Sequence, residues 1–244
     1  LDPKTPAPRP ADILDEAQRR VQARSQQEVP PERRALVIAL YRLVFWLSQH
    51  WLAIFNALAA LYIGGAFLPP FLMKAGFSGA SHAIYQFYQM LCHQYPFRSV
   101  FLFGPKLVYP LTQPVSVAEM NELRAYIGDE NTGYKVALCQ RDIAIYVTIL
   151  IAGLVYALLR NKKQLRPWPL WAYFIFGIVP MMLDGGIQWL SYIVWAFFPQ
   201  FIHAPFETIP LMRYVTGALF GFGIVAVAYP LMHEYFADVH RSLR

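Results

Sequence analysis

The stretch CQRDIAIYVTILIAGLVYALLRNKK, from Cys139 to Lys163, decides the fold. Its central part, Ile143 to Leu159, contains no charged residue. Such runs are typical of transmembrane helices, because about 20 apolar residues cross a hydrocarbon core of roughly 30 Å. A short polar motif precedes the run and a basic loop follows it. The chain is therefore predicted to cross a membrane.

The whole chain has the composition of a membrane protein. Hydrophobic residues make up 57% and charged residues 15% of its 244 residues, against roughly 25% charged residues in a soluble domain. The formal charge of +6 does not indicate nucleic-acid binding, because the basic residues cluster beside apolar segments, where they set topology and contact anionic headgroups. We therefore expect an all-α integral membrane bundle in contact with the lipid bilayer.

The apolar segments divide the chain into a short arm and a membrane domain. Residues 1–31 begin with a proline-rich part and are predicted to form a cytosolic or interfacial arm with a short helix. Residues 32–244 are predicted to form the membrane domain. Its spans are predicted at about 50–68, 143–159, 170–190 and 211–232, with an outer region at 75–136.

The first apolar stretch is too long for one upright span. We predict a helix near the inner interface, from Glu32 to Ser48, followed by a span that Pro69-Pro70 closes. One long, strongly tilted helix is the alternative. Within the outer region, Ser116 and Glu119 predict a capping box at the start of a short helix.

Basic residues set the predicted orientation. They cluster before the first span, in the loop at 160–166 and after the fourth span. The positive-inside rule makes this side cytoplasmic. We therefore predict a multi-pass membrane protein with cytoplasmic termini and an extracytoplasmic cap.

Four polar motifs then fall at one depth on the outer side. Ionisable groups near hydrocarbon are costly, and they usually form pairs or carry function. Asp184 follows an apolar run and needs a partner, which Arg141 or Arg213 would supply. The alternative to a functional role, with equal weight, is an ion pair that only stabilises the packing of the spans. The polar cluster is predicted to contain Gln94, Arg98, Ser99, Arg141, Tyr146, Asp184, Gln188, Arg213 and Thr216.

The two cysteines of the chain, Cys92 and Cys139, lie in two of these motifs. Three interpretations stay open. A Cys92–Cys139 disulfide would suit an oxidising outer side. A metal site would use both thiolates with His93 and Asp142, and zinc or another divalent metal is the candidate. Both thiols would otherwise be buried and free.

The stretches CHQYPFRS (92–99), LCQRDIAIY (138–146), DGGIQ (184–188) and RYVTGALFG (213–221) resemble the motifs of an uncharacterised family of small prokaryotic membrane proteins. The family's patterns are C-H-Q-x-P-x-R-S, C-x-R-C-x-G-x-Y, D-G-x-x-Q and R-x-x-T-G. The resemblance implies that the motif residues form one site, together with Pro96, Gly185 and Gly217. It also implies that the membrane is the inner (plasma) membrane of a prokaryotic cell.

The chain departs from the family's patterns in its second motif. Asp142 stands where the family has the second cysteine of C-x-R-C, and Ala144-Ile145 stands where its glycine precedes the tyrosine. Three cysteines and a histidine resemble a zinc site. A carboxylate in place of one thiolate implies a site that binds metal more weakly and prefers harder cations. The alternative is that these residues now have only a packing role.

Three functional hypotheses follow. The first is a non-catalytic accessory subunit of a larger membrane complex, with an energy-converting complex as one candidate and other membrane subunits as partners. The second is a metal- or thiol-dependent membrane enzyme that acts on a lipid or quinone. The third is a small-solute transporter, suggested by Asp184 in a glycine-interrupted helix. Under the second hypothesis, Cys92, His93, Cys139, Asp142 and Asp184 would hold a metal or act as acid/base groups. No nucleotide-binding loop, H-E-x-x-H or G-x-S-x-G motif is present, so no known motif assigns the catalytic residues.

Overall fold

The computed structural model describes residues 15–16, 19, 31–111, 116–162, 165–198, 200–202 and 204–242. Most of the predicted N-terminal arm lies outside these residues. In chain order the elements are α1 (Pro31–Lys74), α2 (Ser78–Gln89), β1 (Ser99–Leu102), α3 (Val117–Ala125), β2 (Gly128–Asp129), β3 (Gly133–Cys139), α4 (Gln140–Leu159), α5 (Leu170–Phe197) and α6 (Pro210–Ser242).

Four helices of the described part are long and apolar enough to cross a membrane: α1, α4, α5 and α6. Many of their large apolar side chains are exposed, as expected of surfaces that contact the lipid bilayer. The predicted helical membrane bundle with four spans is confirmed. Helices α5 and α6 extend to Phe197 and Ser242, beyond the predicted ends of their spans.

Helix α1 continues through Pro69 and Pro70, where the first span was predicted to end. Residues 32–48 belong to the same helix, so the structure has the long-helix alternative in place of two segments. Both prolines are fully buried. Ser81 of α2 donates a hydrogen bond to the carbonyl of Pro69 at 3.0 Å. Packing against α2 thus keeps the end of α1 helical, although proline normally disrupts a helix.

Helix α5 contains two π-helical segments, Phe174–Ile178 and Met182–Gly186. The sequence analysis placed Asp184 in a glycine-interrupted helix, and the second segment contains this residue with Gly185 and Gly186. A π turn contains an extra residue and is frequent at functional sites. It places Asp184 inside the span.

Helices α4 and α6 pack closely because glycines of α6 face the backbone of α4. A Cβ atom at Gly217 would lie 2.7 Å from the carbonyl oxygen of Arg141, and one at Gly221 would lie 2.5 Å from that of Ile145. Small residues allow membrane helices to approach in this way. The contact fixes the start of α4 against the start of α6.

The cap between α1 and α4 contains a three-stranded antiparallel sheet with the order β1-β3-β2, which the sequence analysis did not predict. The strands are short, and Lys135 interrupts the apolar pattern of β3. The predicted capping box is present at α3, where Ser116 Oγ accepts from the N–H of Glu119 and the Glu119 carboxylate accepts from the N–H of Ser116. We call the end of the bundle that carries this sheet the cap end.

The opposite end is the basic end, where α4 finishes beside Arg160. Helix α4 has 20 residues, so the two ends are about 30 Å apart along it. The bilayer core has roughly this thickness. Groups at the two ends are therefore expected to face different sides of the membrane.

Candidate functional site

The predicted motifs meet at the cap end. Strand β3 ends at Cys139 and leads directly into α4, so Arg141 and Asp142 lie on the first turn of that helix. Strand β1 pairs with β3, and Ser99 lies opposite Cys139. The pairing of these two strands therefore brings the 92–99 motif to the 138–146 motif.

Cys92, Cys139 and Asp142 form a compact group. One ligand atom from each residue lies within 4.8 Å of the other two. The Cys139 thiol donates a hydrogen bond to Asp142 Oδ2 at 3.2 Å, and the backbone N–H of Cys139 donates to Cys92 Sγ at 3.3 Å. Thiolate and carboxylate groups are ligands that zinc accepts. We call these three residues the Cys₂Asp group.

Both cysteines are free thiols, so the predicted disulfide is not confirmed. The hydrogen bond with Cys92, burial and the charge of Asp142 raise the pKa of the Cys139 thiol well above its usual value. Without a cation, this thiol is therefore protonated. A metal ion would displace the proton, because metals bind the thiolate.

His93, which was predicted as a fourth ligand, is not a member of this group in the described part of the chain. Its ring stacks on the ring of Tyr95, with centroids 5.8 Å apart. Burial and the positive charges of Arg98 and Arg124 lower the pKa of the imidazole. A neutral imidazole is the form that binds metals, but this ring lies beside the group.

Asp184 is bound by the side chains of α4 and α6. Arg141 donates to Asp184 Oδ2 through Nε at 3.1 Å and through Nη2 at 2.6 Å. Thr216 Oγ1 donates to the same oxygen at 3.0 Å. The other oxygen, Oδ1, is buried and has no hydrogen-bond partner among the described residues. A Cβ atom at Gly185 would lie 3.0 Å from Arg141 Nη1, so the glycine leaves room for the guanidinium.

Glu207, which the sequence analysis did not single out, binds the other two motif arginines. Arg98 donates to it through Nε at 3.0 Å and Nη2 at 2.5 Å, and Arg213 Nη2 donates at 2.6 Å. The Tyr192 hydroxyl also donates to Glu207. In the sequence, Glu207 is the one acidic residue between Asp184 and Glu234, and this isolation in an apolar stretch was the available signal.

Gln188 joins the two carboxylates into one network. Its Oε1 accepts from Arg141 Nη2 at 3.1 Å, and its Nε2 donates to Glu207 Oε2 at 2.6 Å. Its side chain is almost fully buried. We call the connected residues the arginine cluster: Arg98, Arg141, Arg213, Asp184, Glu207 and Gln188. With three arginines and two carboxylates, the cluster has a formal charge of +1.

The other motif residues bind the backbone of the cap or pack against a neighbouring span. Gln94 Nε2 donates to the carbonyls of Tyr85 and Ala137 at 3.0 and 2.9 Å. Ser99 Oγ donates to the carbonyl of Tyr95 at 2.9 Å. The ring of Tyr146 packs on that of Tyr62, with centroids 4.3 Å apart.

Lys135, a second residue that the sequence analysis missed, is fully buried in the cap. Its Nζ donates to the backbone carbonyls of Gln94 and Arg124 at 2.8 and 2.9 Å. Burial lowers the pKa of this ammonium to about 7. Lys135 therefore joins the loop after α2 to the end of α3, at a cost in desolvation.

Comparison with known proteins agrees with this architecture. Residues 131–227, which contain the start of α4 and the 184–188 and 213–221 motifs, match the model of a family described as "Predicted membrane protein (DUF2085)". The predicted resemblance to an uncharacterised membrane-protein family is confirmed.

A relative from Methanocaldococcus jannaschii, "Uncharacterized protein MJ1492", is 22% identical over 193 residues, which cover 77% of this chain and 96% of the relative. No solved structure matches the chain. The similarity therefore extends beyond the 131–227 region to most of both chains.

Proposed function

We infer that this integral membrane protein binds a thiophilic divalent cation at its cap end, through Cys92, Cys139 and Asp142. The observation that carries the proposal is the mutual distance of the three ligand atoms, all within 4.8 Å. Cys139 precedes α4 and Asp142 lies on its first turn, so both negative groups benefit from the positive end of the helix dipole.

The three ligands favour zinc and would leave the metal able to catalyse a reaction. Soft thiolates select zinc over magnesium or calcium, which prefer oxygen ligands. Three protein ligands leave a position for water or substrate, as in catalytic zinc sites, whereas structural sites use four. The proposal therefore includes a metal-dependent reaction on a lipid or quinone headgroup at the membrane surface. The ligand residues bind the cation, and the arginine cluster beside them positions the start of α4.

Metal analysis of four purified proteins tests the proposal. The wild type, Cys92→Ser, Asp142→Asn and the control Glu130→Gln, an exposed cap carboxylate, are prepared in mild detergent without chelator. We expect close to one metal ion per chain in the wild type and the control, and a large loss in the other two. A wild-type chain without metal, or equal metal in all four, contradicts the proposal.

Alkylation and intact mass on the same samples separate the cysteine chemistries. With a bound metal, both thiols react with an alkylating reagent after unfolding. An unalkylated chain two hydrogens lighter than the sequence mass has a Cys92–Cys139 disulfide instead. That result contradicts a thiolate metal site.

A second function, that of an accessory subunit, is favoured by the length and exposure of α1. Its 44 residues give a length of about 66 Å, and even a tilt of 40° leaves a rise of about 50 Å. The bilayer core is roughly 30 Å thick. Apolar side chains near its N-terminus are exposed, with Leu36 at 61% and Tyr41 at 57%. A partner subunit would cover this surface.

Site-specific photo-cross-linking in native membranes tests the subunit hypothesis. A cross-linking amino acid at position 41 should give one discrete protein adduct. The matched position is Leu154, which is 49% exposed in the middle of α4 and should give lipid adducts. Lipid adducts at both positions would contradict a fixed partner on α1.

A further inference from the structure

A polar cavity lies at the basic end, one helix length from the Cys₂Asp group. Its volume is about 430 Å³, and α1, the end of α4 and α6 form its walls. Its polar lining includes Gln49, Arg160, His233, His240 and Arg241. The lining residues include two arginines and two histidines but no acidic side chain. Arg241 is paired with Asp238, and Glu234 lies near His233, so the charge that would attract an anion is that of Arg160.

Two residues that line this cavity carry a buried nitrogen atom without a partner. Arg160 Nε and His240 Nδ1 are both inaccessible to solvent and make no hydrogen bond with any described residue. Buried polar groups in folded proteins are nearly always satisfied. The carboxylate of Asp238 binds Arg241, which is largely exposed, and leaves Arg160 uncompensated by a salt bridge in the described structure. A ligand with acceptor oxygens would supply the counter-charge that Arg160 lacks.

An apolar groove lies next to the cavity and points to a lipid ligand. The groove, of about 420 Å³, runs between α4 and α6 and is lined by residues such as Val155, Leu159 and Val225. Tyr156 also lines the groove, and its ring packs against that of His233, with centroids 6.4 Å apart. The apolar groove and the polar cavity are thus neighbours, joined by the contact between these two rings. This arrangement matches the phosphate and the acyl chain of a phospholipid.

We propose that this cavity is a binding site for the phosphate group of an anionic phospholipid, with Arg160 as its main cationic ligand and an acyl chain in the α4–α6 groove. The charge distribution predicts that the basic end faces the cytoplasm, where anionic lipids are attracted to juxtamembrane basic residues. The site is independent of metal binding at the cap end.

Lipid binding by the purified protein tests the proposal. Native mass spectrometry in mild detergent measures the retention of phosphatidylglycerol against phosphatidylcholine. We compare the wild type with Arg160→Gln, and with Arg42→Gln as a control of equal charge change on an exposed residue of α1. The wild type should prefer phosphatidylglycerol. Arg160→Gln should weaken that binding about tenfold, because it removes a charge-assisted hydrogen bond, whereas Arg42→Gln should change it about twofold at most.

Further variants and a control with inorganic phosphate distinguish a specific binding site from general charge attraction. Arg160→Lys should restore part of the affinity, because it restores the charge. If Arg160→Gln does not fold, His240→Gln provides the second variant and should weaken binding selectively. Equal losses in the Arg160 and Arg42 variants, or no lipid preference in the wild type, would overturn the proposal. Thermal stabilisation by inorganic phosphate equal to that by phosphatidylglycerol would overturn the assignment to a lipid.

Discussion

Arg141 and Asp184 join α4 to the second π-helical segment of α5 through two hydrogen bonds to a single carboxylate oxygen, at 3.1 and 2.6 Å. The Asp184 side chain is 6% exposed and that of Arg141 is 15% exposed. Ionisable groups at this depth are costly unless they are paired. The pair is therefore expected to stabilise the packing of α5 on the bundle, because only 17% of the apolar stretch of this helix is buried within the chain.

Removal of one partner should be more harmful than removal of both. Arg141→Met should lower the free energy of unfolding by about 3–5 kcal/mol, because it leaves a buried carboxylate unpaired. Adding Asp184→Asn should recover much of that loss. A double-mutant cycle from unfolding in detergent measures the coupling. Additive effects of the two substitutions would show that the pair contributes no coupling energy.

Glu207→Gln should be strongly destabilising, because the side chains of Arg98 and Arg213 both lose the carboxylate they share. We expect a loss of about 3 kcal/mol or more. The control is Asp238→Asn, which removes an exposed ion pair with Arg241 and should cost less than about 1 kcal/mol. Melting temperatures in detergent compare the two variants. Equal shifts would mean that the arginine cluster behaves like a surface ion pair.

Gly221→Ala should separate α4 from α6, because the new Cβ would lie 2.5 Å from the Ile145 carbonyl oxygen. Overpacking of this kind costs about 1–3 kcal/mol. The control is Gly64→Ala in α1, where a Cβ meets no atom within 4 Å. Alanine favours a helix over glycine by up to about 1 kcal/mol, so the control should be neutral or stabilising. The free energies of unfolding of both variants are measured in the same detergent. A neutral effect of Gly221→Ala would contradict the close contact between α4 and α6.

Lys135 should make the stability of the cap increase with pH above about 7. The folded pKa of Lys135 is about 7, below the usual lysine value of about 10.4. Between these values the unfolded chain binds more protons, so the free energy of unfolding rises by up to about 1.4 kcal/mol per pH unit. The cost of burying the ammonium is thus largest below pH 7. Of the neighbouring groups, Arg124 lowers this pKa and Cys92 raises it.

Denaturant unfolding between pH 7 and pH 9.5 measures the slope that Lys135 contributes. Lys135→Met should flatten the slope, whereas Lys106→Met, at an exposed lysine of the cap, should leave it unchanged. An unchanged slope in Lys135→Met would assign the pH dependence to other groups.

The sequence alone was sufficient to predict that four membrane spans exist, because the thickness of the bilayer requires hydrophobic runs of a known length. It was not sufficient for the continuity of α1. The Pro69-Pro70 pair normally ends a helix, and only the packing of α2 against it, including the Ser81 hydrogen bond, shows why the helix continues.

The candidate site was predictable in part. The need of Asp184 for an arginine follows from its apolar surroundings, but the choice between Arg141 and Arg213 depends on where α4 and α6 begin. Glu207 lies in a connection with no recognisable motif. The cap sheet depends on pairings between residues far apart in the chain, such as Phe101 with Lys135, and local patterns do not specify such contacts.

The π-helical segment Met182–Gly186 also limits how the chain length of α5 can vary. Deletion of one residue there would convert the wide turn to an α turn, because a π turn contains one residue more than an α turn. The rest of the helix would keep its orientation, so Gln188 and Tyr192 would still reach Glu207. A second deletion would find no extra residue to remove and would rotate the rest of the helix by about 100°. The segment should therefore absorb a loss of one residue but not of two, so that a count of residues, rather than their identity, is under constraint at this point of the helix.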